Sequence, residues 1–151
     1  MAKLNLNRVP MPKQDPKARA TNFNEVALGY THQQALEEAK RCIQCPRHPC
    51  VDGCPVDIEI PKFIKAVSED NMPEAVRVLK STNSLPGICG RVCPQETQCE
   101  ATCSLAKREA PIAIGRLERY VADWERNHVA FDQPQPRAEP TGHKVAVVGA
   151  G

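Results

Sequence analysis

Large apolar side chains are scarce in this sequence. Aromatic residues make up 4% of its 151 positions, three Phe, two Tyr and one Trp, so stacked rings cannot organise the fold. Long hydrophobic runs are missing too. The opening stretch MAKLNLNRVPMPKQDPKARA holds no apolar segment of the roughly seven to fifteen residues a secretory signal needs, and no later stretch approaches the roughly twenty that span a bilayer. A chain in the reducing cytoplasm is expected, without a membrane span. An excess of one charge is also absent. Twenty Lys and Arg stand against 18 Asp and Glu, a formal net charge of +2, which gives no reason to expect nucleic acid as a partner. Against these shortages stand 14 prolines, many at places where helices must start or stop. A domain of this size buries about two thirds of its unfolded surface. With so few large apolar groups, it gains from a covalent or metal staple.

Eight cysteines are available for that staple, in two groups of four. The first is Cys42-x2-Cys45-x4-Cys50-x3-Cys54-Pro55 and the second is Cys89-x3-Cys93-Pro94-x4-Cys99-x3-Cys103. Clustered cysteines in a reducing compartment are more often metal ligands than disulfides. Structural zinc ribbons favour two short Cys-x2-Cys knuckles, and here only Cys42 and Cys45 form one. Three thiolates close together on an irregular loop can meet three corners of an iron-sulfur cubane, with the fourth corner reached from elsewhere. In bacterial ferredoxins the last cysteine of such a run, followed by proline, ligates the other cluster, a place that Cys54-Pro55 fits. Iron and sulfur are therefore the leading reading, and a zinc-stapled interaction module the alternative.

The rest of the chain predicts a mainly α fold. Residues 1–21, with Pro10, Pro12 and Pro16, read as an extended N-terminal arm. Thr31 and Gln34 resemble a capping box, followed by Ala35, Leu36, Ala39 and Ile43 at helical spacing, so that a helix would deliver Cys42 and Cys45 and stop at Pro46. Pro61 opens a helix with Ile60, Phe63, Ile64 and Val67 buried, and Pro73 opens another with Ala75, Val76 and Leu79. The strongest helical pattern follows the second cysteine group, where Ile114, Leu117, Val121 and Trp124 line one side. An α-helical domain over 22–128 is expected. Residues 129–143, with Pro134, Pro136 and Pro140, read as a semi-rigid linker. Residues 144–151, KVAVVGAG, are an apolar β run ending in Gly-x-Gly, the opening of a dinucleotide-binding strand and turn. They are expected to be the first strand of a truncated Rossmann-type domain.

Taken together, RCIQC, GCPVDIEIPKFI, NSLPGICGRVCPQETQCEATC, PIAIGRLERYVADW and KVAVVGAG resemble the small (β) chain of NADPH-dependent glutamate synthase and its relatives. Those relatives include the N-terminal domain of dihydropyrimidine dehydrogenase and the electron-bifurcating ferredoxin:NADP oxidoreductase flavin subunit. The resemblance covers residues 22–151. It implies an α-helical ferredoxin-like domain with two [4Fe-4S] clusters, followed by FAD and NAD(P)H domains. Carried over position by position, it implies that Cys42, Cys45, Cys50 and Cys103 hold one cluster. Cys54, Cys93 and Cys99 would hold the other, with Glu118 in the place where relatives have a Gln or Glu ligand. On a helical wheel Glu118 sits beside Ile114 and Val121, toward the inward stripe. Cys89 is then left as a small buried residue, although a count of cysteines alone would use it and leave Glu118 spare. Gly149 and Gly151 would approach the FAD pyrophosphate in a complete domain.

The resemblance further implies an oxidoreductase subunit: NADPH reduces FAD, and the clusters relay single electrons to a large FMN-containing partner subunit or a ferredoxin-like partner. The fragment by itself is expected to be inactive, since none of its residues matches a hydride-transfer or amination role. Lys40, Arg41, Arg47, Arg91, Lys107 and Arg108 flank the cysteine loops, where positive charge would stabilise reduced clusters. His48 reads as a loop residue.

Overall fold

A computed structural model describes residues 7–128 and 139–149 of the chain. Prolines that would break a helix interior are spent on helix starts. Proline occupies one of the first two positions of α1 (Pro16–Arg19), α3 (Pro49–Asp52), α4 (Ile60–Ser68), α5 (Met72–Lys80) and α6 (Pro86–Val92). There its missing N–H would have had no partner in any case. The other two helices are α2 (His32–Ala39) and α7 (Ile114–His128); of two 3-10 turns, Gln95–Thr97 lies between Cys93 and Cys99, and Ser104–Lys107 leads from Cys103 toward α7. The described residues form no strand, only an isolated antiparallel bridge between Lys13 and Ala27.

The longest helix organises the rest. α7 packs most extensively along α6 and also meets α5 and α2, while α4 pairs with α5 and with α2. Phe63, Ile64, Val67, Leu79, Leu117 and Val121 are fully buried where these faces meet. Each such side chain contributes roughly 1.5–3 kcal/mol of hydrophobic stabilisation. The α4 stripe is as expected from its sequence. In α5 the inward position is Val78 rather than Val76, which is only partly buried, and Trp124 at the far end of the α7 stripe is partly buried too.

Two local readings change. The capping box at Thr31 and Gln34 forms, but α2 ends at Ala39, so Cys42 and Cys45 lie on a loop and Ile43 is exposed. The physical reason is Arg41. It is buried among polar partners, donating to the Glu38 carboxylate and to the carbonyls of Ala110, at 2.8 Å, and Pro111, at 3.4 Å, which turns the chain out of the helix before the first cysteine. The N-terminal segment, expected to be an extended arm, contains the α1 turn within its described part and is strapped to the body. Val9 is buried; its N–H donates to Glu38 Oε2 at 2.8 Å and its carbonyl accepts from Tyr30 Oη at 2.7 Å.

Residues 129–138 of the expected linker lie outside the described residues, as does Gly151. The expected strand at 144 is not formed. Residues 144–149 have no regular structure, with Val145, Val147 and Val148 at 82% exposure or more, and Gly149 at φ +84° has no neighbour within 4 Å of where a side chain would start. A strand needs a partner ladder, and here none lies beside it among the described residues. No helix among the described residues is long and apolar enough to cross a membrane.

Candidate metal centres

Cysteines from both groups meet in the folded chain. Cys42, Cys45, Cys50 and Cys103 line one cavity, closed by the apolar side chains of Ile60, Ile64, Leu105, Ile112 and Ile114. Three of the four come from the α2–α3 loop and the start of α3, the fourth from the 3-10 turn before α7, more than fifty residues away. Burial first, and then mutual repulsion with Cys42, Cys45 and Cys103, push the Cys50 thiol up to about 12. Burial likewise raises Cys42, despite donors from Gln44. Two side chains point hydrogens at these sulfurs: Gln44 Nε2 donates to Cys42 Sγ and Ser104 Oγ to Cys45 Sγ, both at 3.4 Å. Four thiols gathered in one apolar cavity, with Cys42 and Cys50 pushed up by burial, make a donor set whose charge a bound cation would compensate.

The second group is built differently. Cys93 is pushed up to about 11 by burial, by Cys89, with which it shares a hydrogen bond, and then by Glu118 and Cys54. Cys99 is pushed up to about 12 by burial and by the neighbouring charges of Glu100, Cys54 and Glu118. Cys54, Cys93, Cys99 and Glu118 therefore occupy one electrostatic neighbourhood. Glu118 is 6% exposed, and burial raises its carboxyl to about 7 against the opposing hydrogen bond from Asn83 Nδ2 at 2.8 Å. A carboxylate this deep needs a cation or a proton.

Two glycines allow this second neighbourhood to close. A methyl group on Gly53 would stand 2.6 Å from Thr102 Oγ1 and 3.0 Å from the Gln98 carbonyl, so the loop bearing Cys54 can lie against Cys99 only without a side chain there. On Gly90 a methyl group would stand 2.6 Å from the Arg119 backbone nitrogen; the α6 turn between Cys89 and Cys93 rests directly on α7, next to Glu118. Neither glycine stands out in the sequence beyond its place inside a cysteine motif. The donors Gln44, Ser104 and Asn83 carry no earlier signal either, since nothing in their own spacing ties them to sulfur or to Glu118.

Of the flanking cations, Arg41 is committed to Glu38 and to backbone carbonyls, and Arg91 to Glu25 at 2.8 Å and Asp123 at 2.9 Å, while Lys40, Arg47, Lys107 and Arg108 are exposed. His48 precedes α3 in a left-handed turn, φ 43°. Among the described residues no three His, Cys, Asp or Glu side chains form a group that could hold a metal ion, whose zinc form would ask for sulfurs about 2.3 Å from a single point.

Residues 19–130 match the family model described as dihydropyrimidine dehydrogenase domain II, 4Fe-4S cluster. The chain is 36% identical over 148 residues to the glutamate synthase [NADPH] small chain of Escherichia coli (strain K12), covering 98% of this chain and 31% of that one. It is 37% identical over 145 residues to the corresponding small chain of Azospirillum brasilense, covering 93% and 30%. To the NAD-dependent dihydropyrimidine dehydrogenase subunit PreT of Escherichia coli (strain K12) it is 38% identical over 129 residues, covering 85% and 31%. The chain thus spans under a third of the length of these relatives.

Proposed function

The chain belongs to the dihydropyrimidine dehydrogenase domain II, 4Fe-4S cluster family, and from this premise we propose that it is a two-cluster electron relay. In this reading Cys42, Cys45, Cys50 and Cys103 hold one [4Fe-4S] cluster, and Cys54, Cys93, Cys99 and Glu118 hold the other. The observation that carries it is the shared apolar cavity of Cys42, Cys45, Cys50 and Cys103, a quartet drawn from both ends of the domain. When bound, such clusters supply one-electron carriage, which hydride donors cannot use without a flavin between.

The protein's own contribution is to hold and tune. Gln44 and Ser104 aim hydrogens at two sulfurs of the first centre, and such hydrogen bonds stabilise extra negative charge and raise a cluster's potential. Ile60, Ile64, Ile112 and Ile114 keep water from that cavity's inner wall. In the complete protein, KVAVVGAG would open an FAD-binding domain, with Gly149 and Gly151 at the pyrophosphate, and electrons from NAD(P)H would pass through FAD to this domain and on to a large FMN-bearing glutamate synthase subunit. The 38% identity to PreT favours a second reading, a pyrimidine-reducing assembly with the same relay and a different partner.

Iron and acid-labile sulfide analysis with EPR on anaerobically purified protein tests the relay: about eight irons per chain and two reduced-cluster signals are expected, and a folded, colourless, iron-free protein overturns it. Glutamine-dependent against pyrimidine-dependent NAD(P)H oxidation by the full-length chain with each candidate partner separates the two assemblies.

A further inference from the structure

Asn83 is 5% exposed and stands between the two groups that could complete the second centre. Its Nδ2 donates to Glu118 Oε1 at 2.8 Å, and its Oδ1 faces the Leu85 N–H at 2.9 Å and Cys89 Sγ at 3.6 Å. The orientation of this amide is fixed. A backbone N–H can only donate, so the side of Asn83 facing Leu85 is the oxygen, and the side facing Glu118 is therefore the NH2.

We propose that Asn83 selects Glu118 over Cys89 as the fourth ligand of the second centre. The selection rests on the ligand reading above and follows from the polarity of one side chain. Toward Glu118 the amide offers a hydrogen, which steadies a carboxylate through Oε1 and leaves Oε2 out of that bond. Toward Cys89 it offers lone pairs, which suit a sulfur that still has a hydrogen to give. A sulfur bound to iron has none, and would face the amide oxygen with repulsion instead of a bond. Cys89 is otherwise a credible competitor, since it shares a hydrogen bond with Cys93. Asn83 is in this sense a positioning residue, acting on the centre through Glu118 and Cys89.

The test uses the full-length, anaerobically purified protein, with iron content, EPR of the reduced state and midpoint potentials as readouts. Cys89→Ala alone should change nothing, and Glu118→Ala should alter one cluster only. Asn83→Leu removes both faces of the amide and frees Cys89 to compete; iron should stay near about eight per chain while one cluster's EPR signal and potential shift. Adding Cys89→Ala to Asn83→Leu leaves Glu118 without a competitor and should return that cluster's signal toward that of the unmodified protein, a dependence on Cys89 that a merely structural asparagine would not create. If Asn83→Leu leaves signal and potential as in the unmodified protein while Glu118→Ala still alters one cluster, the ligand reading stands and the role of Asn83 falls. If Cys89→Ala alters a cluster and Glu118→Ala none, the ligand reading itself falls. Should Asn83→Leu cost both clusters, Asn83→Asp decides: it keeps the acceptor toward Leu85 and sets a charge against Glu118, so an unchanged second cluster overturns the proposal and a selective change supports it.

Discussion

The two cysteine centres differ in how their surroundings treat charge. The first is a quartet of thiols in an apolar cavity with two polar hydrogens aimed at sulfur. The second gathers four thiols around a buried carboxylate, with an amide that bonds both the carboxylate and one of those thiols, Cys89. Although only three residues separate them, Cys50 lines the cavity with Cys42, Cys45 and Cys103 while Cys54 lies in the electrostatic neighbourhood of Cys93 and Cys99. Sequence proximity groups cysteines by loop; the fold regroups them by centre.

The sharpest way to break this comparison is to remove one thiol from each centre. Cys50→Ala and Cys54→Ala should each cost one cluster, lowering iron from about eight to about four per chain, and the EPR signals lost should be different ones. Loss of the same signal in both variants would mean the four cysteines of the first group act together.

Next in size is the strap under the first centre. Glu38 is fully buried and accepts from Val9 N–H and Ala113 N–H, both at 2.8 Å, besides Arg41. Glu38→Ala leaves the Arg41 guanidinium uncompensated and should destabilise the domain by about 3–5 kcal/mol, read by denaturant titration of the cluster-loaded protein. The second centre has a steric counterpart. Gly90→Ala drives a methyl group onto the α7 backbone and should cost about 1–3 kcal/mol, with the second cluster's EPR signal broadened and the first unchanged.

The smallest effect concerns the surface ties behind α6 and α7. Glu25 accepts from Arg91 at 2.8 Å and pairs with Arg119 at 3.0 Å, and its carboxyl is held below the usual 4.5, chiefly by the Arg91 hydrogen bond. A carboxyl lowered in the folded state contributes stability above the unfolded value, and that contribution disappears as pH falls below 4.5 through the folded value. With Glu25 half exposed the contribution is at most about 1 kcal/mol. Glu25→Gln should therefore lower the melting temperature slightly at pH 7 and not at pH 3; an equal loss at both would remove the charge argument.

Much of this was legible in the residue pattern. The α4 face is written in Ile60, Phe63, Ile64 and Val67, and α7 in Ile114, Leu117 and Val121, because a 3.6-residue period with apolar contacts has one solution. The early end of α2 was not legible. It depends on where Arg41 finds carbonyls, and those lie about seventy residues later in the chain. The packed N-terminal strap escaped for the same reason, since its prolines signal an open backbone while Val9 is held by Glu38 and Tyr30.

By itself the sequence determined which atoms are available: eight sulfurs in two spaced groups, prolines where helices begin, and a carboxylate on the inward side of the last helix. Spacing along a chain limits local reach, so it could say that each loop offers several thiols. Which thiols share a cavity, and which way the Asn83 amide faces, were decided only when α6 and α7 closed through Gly90 and the 3-10 turn brought Cys103 to Cys42, Cys45 and Cys50. Those are contacts between distant segments, whose geometry is set by packing and hydrogen-bond polarity and by no local propensity.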